Sequence, residues 1–423
     1  MFNFFKKTPK EKGIIALDIG TEVVKATIFT IEQRENINGE IIGKKAIIKG
    51  FNKIDLHSGN GSTIATDISS LILNCKKVIK LSSNEAEIKP EEIIIGVPGE
   101  FIKGITSKIS YKRDESDSKI NLTELRNIVH KLQWKAFGEA RKQISEESGH
   151  SEIDIKLINS SIINIEIDGY KVINPLGFQG EKIEISIFNS FATLANFSAL
   201  ENISKELELE TVAIVSEPYA ISKILNNDEE NKSVIFIDIG GTTTDIAIIE
   251  NKVLVGTKTF GLGGRTITKR LAAELNISFK EAEKLKNSYS EDRLEQKSKK
   301  IIQDIIISDV DIWLEGVILS LSEFKNIDVL PSKILLCGGG SNLPEIKNKL
   351  NNKKWYKKLN FNRTPQTKII QMSNIENIVN ESKTIGDSDS ITSIALVNLG
   401  IELLGEENIT QKTLKKVIGI MKV

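Results

Sequence analysis

Ile14 to Phe29 reads IIALDIGTEVVKATIF and Val234 to Ile249 reads VIFIDIGGTTTDIAII, and the two stretches repeat one design. Each is an apolar strand ending in Asp-Ile-Gly, a turn of Gly and Thr residues, then a second apolar strand. Asp18 and Asp238, Gly20 and Gly240, and Lys25 and Asp245 stand at one common offset, so the chain is expected to contain two similar halves. A carboxylate at the end of a buried strand is costly unless a cation or hydrogen-bond donors compensate it. A tight Gly/Thr turn beside it aims backbone N–H groups at one point, the chemistry of a phosphate cradle. Two facing copies would clamp a nucleotide from both sides, with Asp18 and Asp238 holding Mg2+ through its waters.

A third element follows at Ile334 to Pro344, ILLCGGGSNLP, where a strand runs into Gly338, Gly339, Gly340 and Ser341 before a helix opening at Pro344. Glycines there let a flat ligand lie on the backbone, and the helix N-terminus favours an anion nearby. No G-x-x-x-x-G-K-[ST] motif is present and no G-x-G-x-x-G opens a helix after the first strand, which removes the P-loop and dinucleotide alternatives. His57, His130 and His150 show neither triad nor metal-ligand spacing.

Around these motifs apolar strands alternate with amphipathic helices, the latter predicted at 62–80, 121–143, 191–207, 266–275, 279–286, 294–325 and 344–351. The class is α/β. The 423 residues suggest about three units at ~150 residues each. The 57 Lys and Arg balance 57 Asp and Glu, so bulk charge gives no hold on DNA or RNA, and no nucleic-acid partner is expected. Cys75 and Cys337 stand far apart and outside any ligand spacing, which argues against a disulfide scaffold and fits a reducing cytoplasm. No apolar run is long enough to cross a bilayer, and no signal-peptide pattern opens the sequence.

The two hairpins and the glycine element, in this order, resemble the actin-fold nucleotide-binding superfamily of actin, sugar kinases, chaperone ATPases, MreB, PilM and FtsA. Within it the sequence is most similar to the bacterial cell-division FtsA family. The likeness rests on Asn174 to Ile185 (NPLGFQGEKIEI), on Phe260 to Thr268 (FGLGGRTIT) followed by Phe279 to Tyr289 (FKEAEKLKNSY), and on an insertion between the two parts of the first lobe. The resemblance implies an actin-like, ribonuclease H-like fold of two duplicated lobes with a nucleotide cleft between them, ATP with Mg2+ as cofactors, and slow ATPase activity. It implies that Asp18, Gly20 and Thr21 form one phosphate loop and Asp238, Gly240, Gly241 and Thr243 the other, with Lys25 as a weaker phosphate contact. Glu217 falls where relatives orient the attacking water, Glu283 and Lys286 where they reach ribose or base, and Gly338, Gly339, Gly340 and Ser341 where they pack on the nucleoside. Thr242 departs from the pattern by standing where a third glycine is usual; if that position needs positive φ, hydrolysis is altered.

The same resemblance divides the chain into an N-terminal extension (1–12), a first lobe (13–89 and 174–208), an inserted FtsA-type subdomain (90–173), a second lobe (209–257 and 331–404), a subdomain inserted in the second lobe (258–330) and a tail (405–423). It implies self-association into actin-like filaments and binding of the FtsZ C-terminal peptide. In the tail, Leu414, Val417, Ile418 and Met421 share one helical face against Lys412, Lys415, Lys416 and Lys422, a basic amphipathic pattern suited to the inner face of the cytoplasmic membrane. MFNFFKK at the other end is a second candidate membrane contact. The alternatives left open are a PilM-like type IV pilus adaptor that binds a pilus peptide and, less favoured for want of a substrate base, a sugar or acetate kinase.

Overall fold

The structure is a computed structural model that describes residues 12–35, 40–56, 67–149, 154–224, 232–325, 327–352, 355–372, 375, 377–385 and 390–404. The MFNFFKK segment and the Lys412 to Val423 helix expected from sequence lie outside the described residues.

Three sheets organise the chain. In the first, the strand order is Ile378–Asn380 (β15), Ile41–Asp55 (β3), Val23–Glu35 (β2), Gly13–Ile19 (β1), Pro90–Val97 (β4) and Glu210–Ser216 (β9). In the second it is Val253–Phe260 (β12), Thr244–Glu250 (β11), Val234–Ile239 (β10), Lys333–Cys337 (β13) and Gln366–Ile369 (β14). The third is Lys103–Lys112 (β5), Lys182–Thr193 (β8), Ile155–Ile167 (β6) and Tyr170–Lys171 (β7). The helices are Ile68–Ala86 (α1), Leu122–Ser148 (α2), Leu194–Glu206 (α3), Glu217–Ser222 (α4), Gly264–Leu275 (α5), Phe279–Ser290 (α6), Gln296–Ser322 (α7), Pro344–Asn351 (α8) and Ile391–Leu404 (α9).

The duplication is visible in the register. Asp18 lies opposite Lys25 in the antiparallel β1–β2 pair, and Asp238 opposite Asp245 in β10–β11. Each first strand also has a parallel neighbour, β4 for β1 and β13 for β10. Strand side chains alternate between faces. Ile15, Leu17 and Ile19 therefore pack outward against Leu71, Cys75 and Val78 of α1, while Ile235 and Ile237 pack outward against Leu271 and Val310 of α5 and α7. Ile14, Ala16, Val234 and Phe236 face inward, onto Ala220 and Ile221 of α4 and Ile394, Ala395 and Leu399 of α9. The result is layered: helices, sheet, the α4 and α9 pair, sheet, helices. Asp18 and Asp238 share the inward parity, so both carboxylates point into the space between the lobes.

The actin-like two-lobe reading holds, but several expected boundaries move. Residues 90–97 and 210–216 belong to the first sheet, because β4 pairs in parallel with β1 and β9 with β4. Residues 182–193 belong to the insert, since β8 is the strand that β5 and β6 both pair with. The insert therefore runs from the end of β4 to the start of α3 rather than over 90–173. Residues 258–330 do not form a separate body: Ile267, Ala282, Val310 and Trp313 share one core with Ile235, Ile237 and Ile334. Helix α9, expected in the second lobe, packs on β1, β2, β3 and β4 of the first. Strands such as β3 and β6 carry too many polar residues for alternation to be read from the sequence.

Helix α1 sits on β3 where a side chain is missing. A Cβ on Gly50 would stand 2.3 Å from the Ser82 carbonyl oxygen and 2.9 Å from the Ala86 nitrogen, and a backbone cannot yield as a side-chain tip can. Ser82 donates to the Ala26 carbonyl at 2.8 Å in the same contact. Gly50→Ala should lower unfolding free energy by about 1–3 kcal/mol, read as a fall in denaturant midpoint at unchanged slope.

Candidate functional site

The two hairpin turns close in the same way, with the Gly20 N–H donating to the Val23 carbonyl at 3.1 Å and the Gly240 N–H to the Thr243 carbonyl at 2.9 Å. Between them lies a cleft of about 880 Å³. Asp18, Gly20, Thr21, Lys25, Glu217, Asp238, Gly240, Gly241, Thr243, Glu283, Lys286, Gly338, Gly339 and Gly340 line it, so residues from five distant stretches converge. Ser341 is the exception among the expected residues: its hydroxyl donates to the Gly338 carbonyl at 2.7 Å and braces the turn. Gly338 adopts φ +80°, and a Cβ there would meet Asp238 Oδ1 at 2.2 Å, so both conformation and space require glycine.

The two aspartates differ. Asp18 Oδ2 accepts from Lys25 Nζ at 3.1 Å, Thr392 Oγ1 at 2.6 Å and Ser393 Oγ at 3.0 Å. Burial pushes this carboxyl up, but the Lys25 charge and the hydrogen bonds from Thr392 and Lys25 outweigh it and hold it below the usual carboxylate range. Burial in turn pulls Lys25 down, and the Asp18 and Glu217 charges more than offset this and keep it protonated. Asp238 has no such partner. It faces Asp245 across the hairpin, its Oδ2 is buried without a hydrogen bond, and burial, then Asp245, pushes it up to about 7. Asp245 is itself pushed up to about 6 by burial, against donors from Thr259 and the Gly99 N–H, the latter at 3.3 Å.

Glu217 opens α4 behind the N-cap Ser216, with Pro218 fixing the first turn. It is 8% exposed and its Oε1 has no partner. Burial, then the charges of Asp18, Asp238 and Asp245, raises its pKa well above the ordinary carboxyl value. Glu283 and Lys286 pair at 2.8 Å on one face of α6, and Lys286 also donates to Thr268 Oγ1 at 2.8 Å.

Mg2+ fits the second hairpin better than the first. An unpartnered buried carboxylate oxygen on Asp238 and another on Glu217 are groups a hydrated cation satisfies, whereas Asp18 Oδ2 is already occupied. Among the described residues no three His, Cys, Asp or Glu side chains form a cage for an ion.

The turns also touch across the cleft. The Thr242 N–H donates to Thr21 Oγ1 at 3.3 Å, and Arg265 of α5 pairs with Glu22 at 2.5 Å. A Cβ on Gly241 would meet Glu22 Cγ at 2.2 Å. Thr242 is not among the residues with positive φ, so the conditional objection raised by its sequence does not apply: the turn takes Thr without left-handed strain. Sequence reading missed Thr392 and Ser393, whose helix carries no nucleotide-binding pattern, and it missed the Glu22–Arg265 pair. Asp245 was visible only as the counterpart of Lys25 in the repeat.

Asp238 and Asp245 give the ligand-free protein a distinctive pH dependence. A carboxyl whose folded pKa is raised binds its proton more tightly folded than unfolded. Its contribution to stability is therefore present at about pH 4 and is lost as pH rises toward about 7. Asp238→Asn should accordingly be more stable than wild type by roughly 2–4 kcal/mol at pH 8 in metal-free buffer, with the gap closing toward pH 4. Paired chemical denaturation curves at the two pH values would check this.

Comparison with known proteins adds family context. The family described as Cell division protein FtsA matches residues 235–392, which include the second hairpin and the glycine element. The Hydantoinase/oxoprolinase family matches residues 179–275. The FtsA protein of Buchnera aphidicola subsp. Baizongia pistaciae is 27% identical over 375 residues, 81% of this chain and 82% of that protein. The Bacillus subtilis FtsA protein is 23% identical over 357 residues, 78% of this chain and 74% of its own length. Among solved structures, the PilM-PilN type IV pilus biogenesis complex superposes with a TM-score of 0.62 at 16% identity, covering 93% of this chain and 99% of that one. That likeness concerns the fold, which is actin-like.

Proposed function

We propose that this chain, similar to FtsA proteins over most of its length, is an FtsA-type, actin-like division protein that binds ATP with Mg2+ between its lobes. The observation that carries the reading is the convergence of two copies of one hairpin on one cleft, with Asp238 Oδ2 and Glu217 Oε1 buried there without a hydrogen bond. When bound, Mg2+ supplies positive charge for the buried carboxylates and the nucleotide supplies phosphate oxygens. Asp238 holds the hydrated cation. Asp18 fixes Lys25, which presents its ammonium group to the phosphates. Glu217 orients water, while Glu283 and Lys286 on α6 flank the ribose end of the cleft. Slow turnover, with nucleotide acting mainly by setting the lobe angle, is carried over from the resemblance to FtsA proteins.

The finer parts of the reading rest on resemblance: assembly into filaments, capture of the FtsZ C-terminal peptide, and attachment to the inner membrane face through Lys412 to Val423. Among the described residues no helix is long and apolar enough to cross a membrane. The pilus-adaptor alternative has a fold likeness at 16% identity behind it, against the family match and the curated FtsA relatives.

Calorimetry in Mg2+ tests the cleft. Asp238→Ala should weaken ATP binding by about 2–3 kcal/mol, the loss expected for a charge-assisted contact. Unchanged affinity in both Asp18→Ala and Asp238→Ala would remove the proposal. Phosphate release should stay well under the enzyme median of ~10 per second. For the cellular role, the full chain should sediment FtsZ onto anionic vesicles in a manner lost on deletion from Lys412. Recovery of pilus proteins in place of FtsZ would favour the adaptor.

A further inference from the structure

The insert meets the second lobe along a narrow seam that begins inside the nucleotide cleft. Strand β4 ends at Val97, Pro98 lines the cleft, and Gly99 starts the chain's path into the insert. The Gly99 N–H donates to Asp245 Oδ2 at 3.3 Å, and the Thr259 hydroxyl holds the other oxygen of that carboxylate. There is no slack: a Cβ on Gly99 would lie 2.3 Å from Asp245 Oδ1 and 2.4 Å from Thr259 Oγ1. Farther along, a Cβ on Gly104 would lie 2.2 Å from Thr257 Oγ1, and Thr106 Oγ1 donates to the Val255 carbonyl at 2.5 Å. Gly104 and Thr106 of β5 thus run antiparallel to Thr257 and Val255 of β12, edge strand to edge strand.

Beside this seam the insert and the second lobe part around a groove of about 1070 Å³, lined by Ser107, Lys108, Ile162, Ile165 and Val253. On its other side the insert is anchored in the first lobe, where Phe101, Ile102, Ile158 and Ala192 join the core of Ile15, Leu17 and Val97. The insert is therefore packed on both lobes, on the first through this core and on the second along β12, with Phe188 buried in the inner core beside Leu254. Asp245 travels with the second lobe and Gly99 with the first. A change in lobe angle shifts the Thr21–Thr242 contact and shears Asp245 against Gly99.

We propose that the Asp245–Gly99 contact transmits occupancy of the cleft to the inserted subdomain, with Asp245 acting as a positioning residue for the insert. This rests on the nucleotide reading of the cleft. The test uses the full chain with Mg2+ and a non-hydrolysable ATP analogue, combining calorimetry with hydrogen exchange of residues 99–112 and 253–260. In wild type, bound analogue should change exchange rates along both strands by about threefold or more. Gly99→Ala and Thr259→Val should erase that difference while keeping affinity within about threefold of wild type. A merely structural role would instead raise exchange equally with and without nucleotide, leaving the difference intact.

Wild-type protein that binds the analogue with no change along the seam, or variants that keep the full difference, would overturn the coupling and leave the nucleotide reading standing. Loss of affinity in both variants would place Gly99 and Thr259 in binding itself and also overturn it. Absence of binding to wild type would remove the nucleotide reading and the coupling together.

Discussion

Two carboxylates buried at strand ends impose the central constraint on this molecule. Each must be compensated, and the hairpins do so differently. Asp18 is neutralised within the protein by Lys25, its cross-strand partner, and by hydroxyls from the start of α9. Asp238 faces a second carboxylate, and its buried Oδ2 lacks a partner. One duplicated design thus gives a closed electrostatic unit in the first lobe and an open one in the second. Leaving a buried charge uncompensated costs several kcal/mol, so the second hairpin carries a cost in the ligand-free protein that the first does not.

The layered architecture places that constraint where it can act. Alternation along β1 and β10 sends Asp18 and Asp238 inward with Ala16 and Phe236, and the helices filling the inner layer bring Glu217 and Thr392 to the same point. The first lobe's lock is completed by α9, in the last described segment of the chain, so the geometry of Asp18 depends on residues more than 370 positions away. Close packing of glycines completes the site: Gly241 against Glu22, and Gly338 against Asp238, leave no volume for a side chain.

The insert gains significance from the same geometry. Its first residues leave the end of β4 at the cleft, so the path from site to subdomain is only a few residues long. Because it packs on both lobes, its placement depends on the angle between them.

The sequence by itself determined the α/β class, both hairpins, the glycine turn, most helices and part of the cleft lining, though not Glu22, Arg265 or Thr392. Those features are local: a strand ending in Asp-Ile-Gly and a helix with an apolar face are written in consecutive residues. Tertiary structure alone decided that Asp18 is locked while Asp238 is not, because the locking hydroxyls come from Thr392 and Ser393. It also decided that residues 90–97 and 210–216 complete the first sheet and that 182–193 belong to the insert, since parallel pairing joins strands with no sequence mark of their partner. Thr242 shows the same limit at one position. Its identity warned of strain, but strain depends on φ, and φ there is set by the whole turn.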